Sequence, residues 1–166
     1  MKITGSHEIS APPDRVFAVL TDPDCLARVM PGCKKLESRG DGTYELVLMA
    51  GVGPIKGEYV GTVQLADIDE PSSYRMIVDI KGKTGFVTGE GTLVLVENGS
   101  GTTVTYAGDV TIGGKIAAVG QRMHSSAAKL MTRQLFGAID AEANAEEGTE
   151  VKHGLIRDTL RGLRRK

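Results

Sequence analysis

Tryptophan is absent from this 166-residue chain, and aromatic residues of all kinds amount to 4% of it. A rigid interior of interlocking rings is therefore excluded. The bulk must come from aliphatic side chains and from six methionines, which adapt to irregular spaces. Cysteine is scarce too: Cys25 and Cys33 cannot staple a fold of this length, and in a reducing compartment they read as small, largely buried thiols. No apolar run approaches the ~20 residues that a bilayer-spanning helix requires, and residues 1–4 lead into polar positions rather than a signal-peptide core. The expectation is a cytoplasmic protein. Charge of one sign is also missing. With 20 basic and 21 acidic residues the formal charge is −1, which gives no general grip on nucleic acid. His7, His124 and His153 lack Cys, His or carboxylate neighbours at metal-ligand spacing, and no Ser, His, Asp arrangement is visible.

What is present is polarity of two clear periods, punctuated by 22 glycines. In the first segment Ile3, Gly5, His7 and Ile9 share one face of a strand. The stretch "APPDRVFAVLTDPDCLARVMPG" then predicts two short helices. Pro13 suits a first turn, Asp14 complements its positive end, and Val16, Phe17 and Leu20 form an apolar stripe. Asp22 caps the second helix ahead of Pro23. Leu26, Val29 and Met30 face one way, and Pro31-Gly32 stops it. Six strands follow over residues 34–38, 43–50, 55–67, 74–81, 85–97 and 102–112, separated by "RGDG", "GVGP", "DEPS", "KGKTG" and "NGSG". Such short reversals imply an antiparallel meander. Gly57, Gly61, Gly89 and Gly91 fall on the apolar faces of their strands, which points to strong curvature, to a void inside a curled sheet, or to both.

The stretch "GDVTIGGKIAAVGQRM" places a strand, two glycines, a lysine and a helix start in the order of a phosphate-binding loop. The spacing fails: Asp109 stands where the first glycine is needed and Ile116 where a magnesium-binding hydroxyl is needed. Gly113-Gly114-Lys115 reads instead as a hinge into a helix running to about residue 145, on the order of 30 residues and ~45 Å if straight. Its inward face carries Ile116, Val119, Gly120, Met123, Ala127, Leu130, Met131, Leu135 and Ile139. Beyond "EANAEEGTE", residues 146–166 form a separate unit. Ile156, Leu160 and Leu163 lie on one side of a helical wheel. Arg157, Arg161, Arg164 and Arg165, with Lys166 closing the chain, provide a basic face. The pattern suits a peripheral anionic membrane surface, a docked partner protein or a solvated tail.

The order of strand, two short helices, six strands and long helix is similar to the START-like (SRPBCC) helix-grip superfamily. Within it, the chain resembles the carbon monoxide dehydrogenase G-subunit family. The residues that carry the resemblance are Gly5, Ala11-Pro12 leading to Val16, "DPDCLARVMPGCKKLE" from Asp22, "GVGPIKGEYVGTV" from Gly51, "GTLVL" from Gly91, "GTTVTY" from Gly101 and "GGKIAAVGQR" from Gly113. Together they span about residues 1–136.

The resemblance implies an α+β fold in which a curved, antiparallel, seven-stranded sheet wraps around the long C-terminal helix, with an apolar cavity between them. It makes residues 1–145 the ligand-binding domain and 146–166 a basic tail. It also implies a non-catalytic accessory protein of a molybdenum-containing carbon monoxide dehydrogenase or related hydroxylase, membrane-associated on the cytoplasmic side. A lipid quinone such as menaquinone is the economical ligand for an enzyme that delivers electrons to a respiratory chain. The expected cavity residues are Leu26, Val29, Met30, Tyr59, Met76, Phe86, Gly120, Met123, Ala127 and Met131, with Tyr59 as a polar handle. Lys115 and Arg122 stand at the mouth, as ligand donors or as surface ion-pair partners. Two other readings remain: a recruitment factor acting through protein contacts with no ligand, and a small polyketide-cyclase-like or hydrolytic enzyme.

Overall fold

The computed structural model describes residues 1–50 and 56–145. Strand β1 (Lys2–Ile9) leads through α1 (Pro13–Thr21) and α2 (Pro23–Val29) to a six-strand meander. The meander comprises β2 (Cys33–Ser38), β3 (Thr43–Ala50), β4 (Gly57–Asp69), β5 (Ser73–Gly82), β6 (Gly85–Asn98) and β7 (Gly101–Gly113). All seven strands form one sheet in the order β1-β7-β6-β5-β4-β3-β2. Every neighbouring pair is antiparallel. The two helices after β1 carry the chain to the far edge, so the first strand closes against the last one of the meander. The fold is the α+β helix-grip arrangement.

Local chemistry sets the element boundaries. Pro13 opens α1, where a missing N–H costs nothing, and Asp22 caps α2 by accepting the Asp24 N–H at 2.9 Å. Val16, Phe17, Val19 and Leu20 of α1 are buried, and Cys25 and Val29 of α2 join them. In the meander, alternate residues face inward. On β5 these are Tyr74, Met76, Val78 and Ile80; on β6 they are Gly89, Gly91 and Leu93.

The segment after β7 differs from the expected single helix. Gly114, with φ +81°, turns the chain out of the sheet into a short 3-10 helix, Lys115–Val119. Gly120, with φ +95°, then breaks the path, and only from Gln121 does α3 begin, running to Ala145. A positive φ at that position is cheap for glycine and incompatible with a continuous α-helix, so the long helix is 25 residues rather than about 30. The 3-10 segment is held by the Ile116 N–H donating to Thr84 O at 2.8 Å, and the buried His124 ring nitrogen Nε2 meets Ile116 O at 2.7 Å.

Two apolar clusters result. The larger packs α1, α2 and the C-terminal half of α3 (Phe136, Ile139, Ala143) on Ile9, Leu95 and Val104. The smaller joins Leu36, Leu46, Leu48, Ala50, Tyr59 and Ile80 around Ile116, which the 3-10 segment inserts like a plug. Full burial of one such side chain contributes about 1.5–3 kcal/mol.

Candidate functional site

Between the two clusters lies a cavity of about 350 Å³. Its floor is the concave face of the sheet, from Tyr44, Leu46 and Leu48 on β3 across to Tyr106 and Gly108 on β7. Its roof is one stretch of α3, Met131, Thr132, Leu135 and Phe136, and α1 and α2 contribute Leu20, Leu26 and Met30. The strand glycines serve curvature and space together. A Cβ on Gly61 would collide with the Asp79 carbonyl oxygen, and one on Gly89 with that of Asp109. Neighbouring strands therefore approach more closely there than any other residue permits, and the sheet bends. Gly89, Gly91 and Gly108 also bring bare backbone to the cavity wall.

The lining is mostly apolar, with Tyr44, Tyr74, Tyr106 and Phe136 set among aliphatic side chains, and few of its polar side chains point inward. Glu90 is exposed and turned to Arg75, whose guanidinium donates to it at 2.8 Å. The Tyr106 hydroxyl donates to Thr132 Oγ1 at 3.3 Å, tying the floor to the roof, while Thr132 itself donates to Ala128 O at 2.9 Å. Tyr106 lies over Gly5, its cross-strand partner, where a Cβ would strike the phenol. The rings of Tyr106, His7 and Phe136 are nearly parallel, His7 and Phe136 with centroids 4.6 Å apart. Tyr74 is 3% exposed, and Phe17 meets its ring edge-on at 5.8 Å. Burial, and secondarily Tyr44, pushes the Tyr74 phenol well above its ordinary pKa, so it stays protonated.

Of the ten residues expected at the cavity, Leu26, Met30, Met76 and Met131 stand at its wall. The other six are elsewhere. Val29 is buried in the larger cluster behind the wall. Tyr59 is buried in the smaller cluster, and its hydroxyl is 3.1 Å from Thr84 Oγ1, so the expected polar handle is engaged outside the cavity. Phe86 is one residue out of phase with Val87, Gly89 and Gly91; it is 41% exposed and its ring covers Gly113 across the strand pair. Gly120, Met123 and Ala127 precede Met131 on the chain. Ala127 is buried and Met123 half-buried, but at 1.5 Å per residue they lie about 6 Å or more beyond the part of α3 that roofs the space. Lys115 and Arg122 are exposed and do not line the cavity. The tail residues Ile156, Arg157, Leu160, Arg161, Leu163, Arg164, Arg165 and Lys166 lie outside the described residues, as does the segment 51–55 that carries part of the resemblance.

The sequence reading missed Tyr44, Leu46, Leu48, Tyr106 and Thr132 as cavity residues. Strand parity was the available signal for the first four: Tyr44, Leu46 and Leu48 alternate on β3, and Tyr106 shares the phase of Val104 and Gly108. Thr132 carried no such signal, because it follows Met131 at the edge of the helical stripe.

Away from the cavity, half-buried Arg28 of α2 and buried Glu142 of α3 form an ion pair, with the Glu142 side chain 1% exposed. Cys25 Sγ accepts from Arg28 at 3.3 Å and donates to Asp22 at 3.5 Å, so this thiol is part of the same inter-helix tie. Burial is the largest single influence on Arg28 and lowers its pKa, but the hydrogen bond and charge of Glu142, together with Cys25, outweigh it and raise the guanidinium pKa. Among the described residues no group of three His, Cys, Asp or Glu is placed to hold a metal ion, and no helix is long and apolar enough to cross a membrane.

Comparison with known proteins places these features in a family. Residues 5–144 match the family model of CoxG, the G-subunit of carbon monoxide dehydrogenase. A conserved protein from Geobacillus kaustophilus superposes with a TM-score of 0.85 at 35% identity, over 88% of this chain and 97% of that one. A START superfamily protein from Mycobacterium smegmatis superposes with a TM-score of 0.66 at 12% identity, over 86% of this chain and 97% of that one, and shares the fold. No curated protein matches.

Proposed function

The chain belongs to the CoxG family of carbon monoxide dehydrogenase G-subunits, and we propose that it is a non-catalytic accessory protein that holds a lipid quinone, such as menaquinone, in its internal cavity. The observation that carries this reading is the apolar space of about 350 Å³ between sheet and α3, within the size range of small-molecule pockets. An empty apolar space of that size costs stability, and an apolar guest restores the lost contacts. A ring system fills the space, and an isoprenoid chain leaves it along the roof. The enzyme partner is a molybdenum-containing carbon monoxide dehydrogenase or related hydroxylase, in keeping with the family's name. The basic amphipathic pattern of residues 146–166 supports a reversible peripheral membrane contact, through which quinone is exchanged with the bilayer.

Native mass spectrometry of the full chain, followed by solvent extraction, tests the ligand. The expected result is one isoprenoid quinone per protein. An empty protein that still captures the molybdenum enzyme would replace this reading with recruitment through protein contacts. Sedimentation with anionic liposomes tests the tail: deletion of residues 149–166 is expected to abolish it, and unchanged sedimentation would remove the membrane role.

A further inference from the structure

We infer that the Tyr74 hydroxyl is the hydrogen-bond donor that recognises an oxygen on the ligand, so that the cavity selects an apolar molecule bearing a carbonyl over a plain hydrocarbon. This inference rests on the cavity being the binding site. Tyr74 is 3% exposed, so water from outside the protein barely reaches it. Among the described residues its hydroxyl makes no hydrogen bond, whereas Tyr106 is tied to Thr132 and Tyr59 to Thr84. Nor is that oxygen sealed among protein atoms: the buried polar side-chain atom without a partner among the described residues is Arg28 Nε. A residue so buried, with a hydroxyl that is neither bonded nor enclosed, turns that hydroxyl to the cavity it lines.

The chemistry of the position is that of a fixed donor. The edge-on contact with Phe17 holds the ring, and the inward phase shared with Met76 and Val78 aims the side chain across the floor. Burial keeps the phenol protonated at any physiological pH, so the O–H is always present to be given. A buried donor with no partner is costly, and a carbonyl oxygen placed against it removes that cost without disturbing the aliphatic contacts around it. A hydrocarbon of the same shape leaves the donor unpaired. Tyr44, a second phenol on the floor, is near enough to bear on the Tyr74 proton.

Calorimetric titration with menadione and with methylnaphthalene, two probes of similar shape of which the first bears carbonyls, separates the possibilities. Tyr74→Phe removes only the hydroxyl, and it breaks no hydrogen bond with the described residues. It is expected to weaken menadione about fivefold to tenfold and to leave methylnaphthalene unchanged, the size of one hydrogen bond. Tyr106→Phe, whose hydroxyl is already bonded to Thr132, is expected to show no such selective loss. Equal affinities in wild type and Tyr74→Phe, or an equal loss for both probes, would overturn the role of Tyr74 while leaving the cavity as a binding site. Failure of wild type to bind either probe would overturn the cavity reading itself.

Discussion

The two halves of α3 meet the rest of the molecule in different ways. From Leu135 to Ala143 the helix is anchored: Phe136, Ile139 and Ala143 are buried in the larger cluster, and Glu142 is paired with Arg28. From Gln121 to Met131 only His124 and Ala127 are buried, and Met131, half-buried at the cavity wall, packs against the smaller cluster. The same helix is thus a core element at one end and a roof at the other. The cavity does not come from a shortage of apolar residues, because its lining is predominantly apolar. The His124 contact with Ile116 O near its start and the Arg28–Glu142 tie near its end hold the helix at both ends of the span that roofs the curved floor. Packing forces would otherwise close the space.

That contrast can be broken at its strongest point first. Arg28→Ala takes the guanidinium away from the Glu142 carboxylate, whose side chain is 1% exposed, and is expected to lower stability by about 3–5 kcal/mol, measured by urea denaturation. A loss below ~1 kcal/mol would mean that the tie does not hold the anchored half. The next test compares equivalent truncations in the two halves. Ile139→Ala, at a position 0% exposed, is expected to cost about 3 kcal/mol. Met131→Ala, which already borders empty space, should cost about 1 kcal/mol, because fewer contacts are lost. Equal costs would show that the roof is as well packed as the anchor.

The smallest effect concerns pH at the junction of the halves, where His7 stacks on Phe136. Burial, and then the positive charge of Arg133, holds His7 below its ordinary value of 6.5. The folded state therefore takes up the proton less readily than the unfolded chain. The contribution of neutral His7 is complete above about pH 6.5 and is lost as pH falls through the depressed folded value. The melting temperature should fall on acidification across that window, and His7→Gln should flatten this part of the profile. A wild-type profile that is flat from neutral pH to pH ~5 would sink the assignment.

Much of the fold was legible in local pattern. Alternation placed all seven strands to within a few residues, Asp22 and Pro23 marked the second helix, and the turn residues implied an antiparallel order. The wall was legible only where parity was followed strictly. Met76 was read from the strand alternation, and Leu26, Met30 and Met131 from helical stripes. Phe86 broke parity and proved to cover Gly113 on the other side of the sheet. Gly120, Met123 and Ala127 were placed by extending one helical phase across a glycine that interrupts it. The roof is short, and nothing in a helical period says how far along its axis a cavity extends.

The sequence by itself determined the kinds of element, their order and which face of each strand is apolar, because periods of two and 3.6 are written in neighbouring residues. Only the tertiary structure decided which apolar faces touch each other and which border empty space. That outcome depends on contacts such as Arg28 with Glu142, 114 positions apart, and on a backbone break at Gly120. Tyr59 was expected as the polar handle, whereas Tyr74 was not among the expected cavity residues. One is bonded to Thr84 and the other faces the cavity, a difference set by what the fold brings to each hydroxyl.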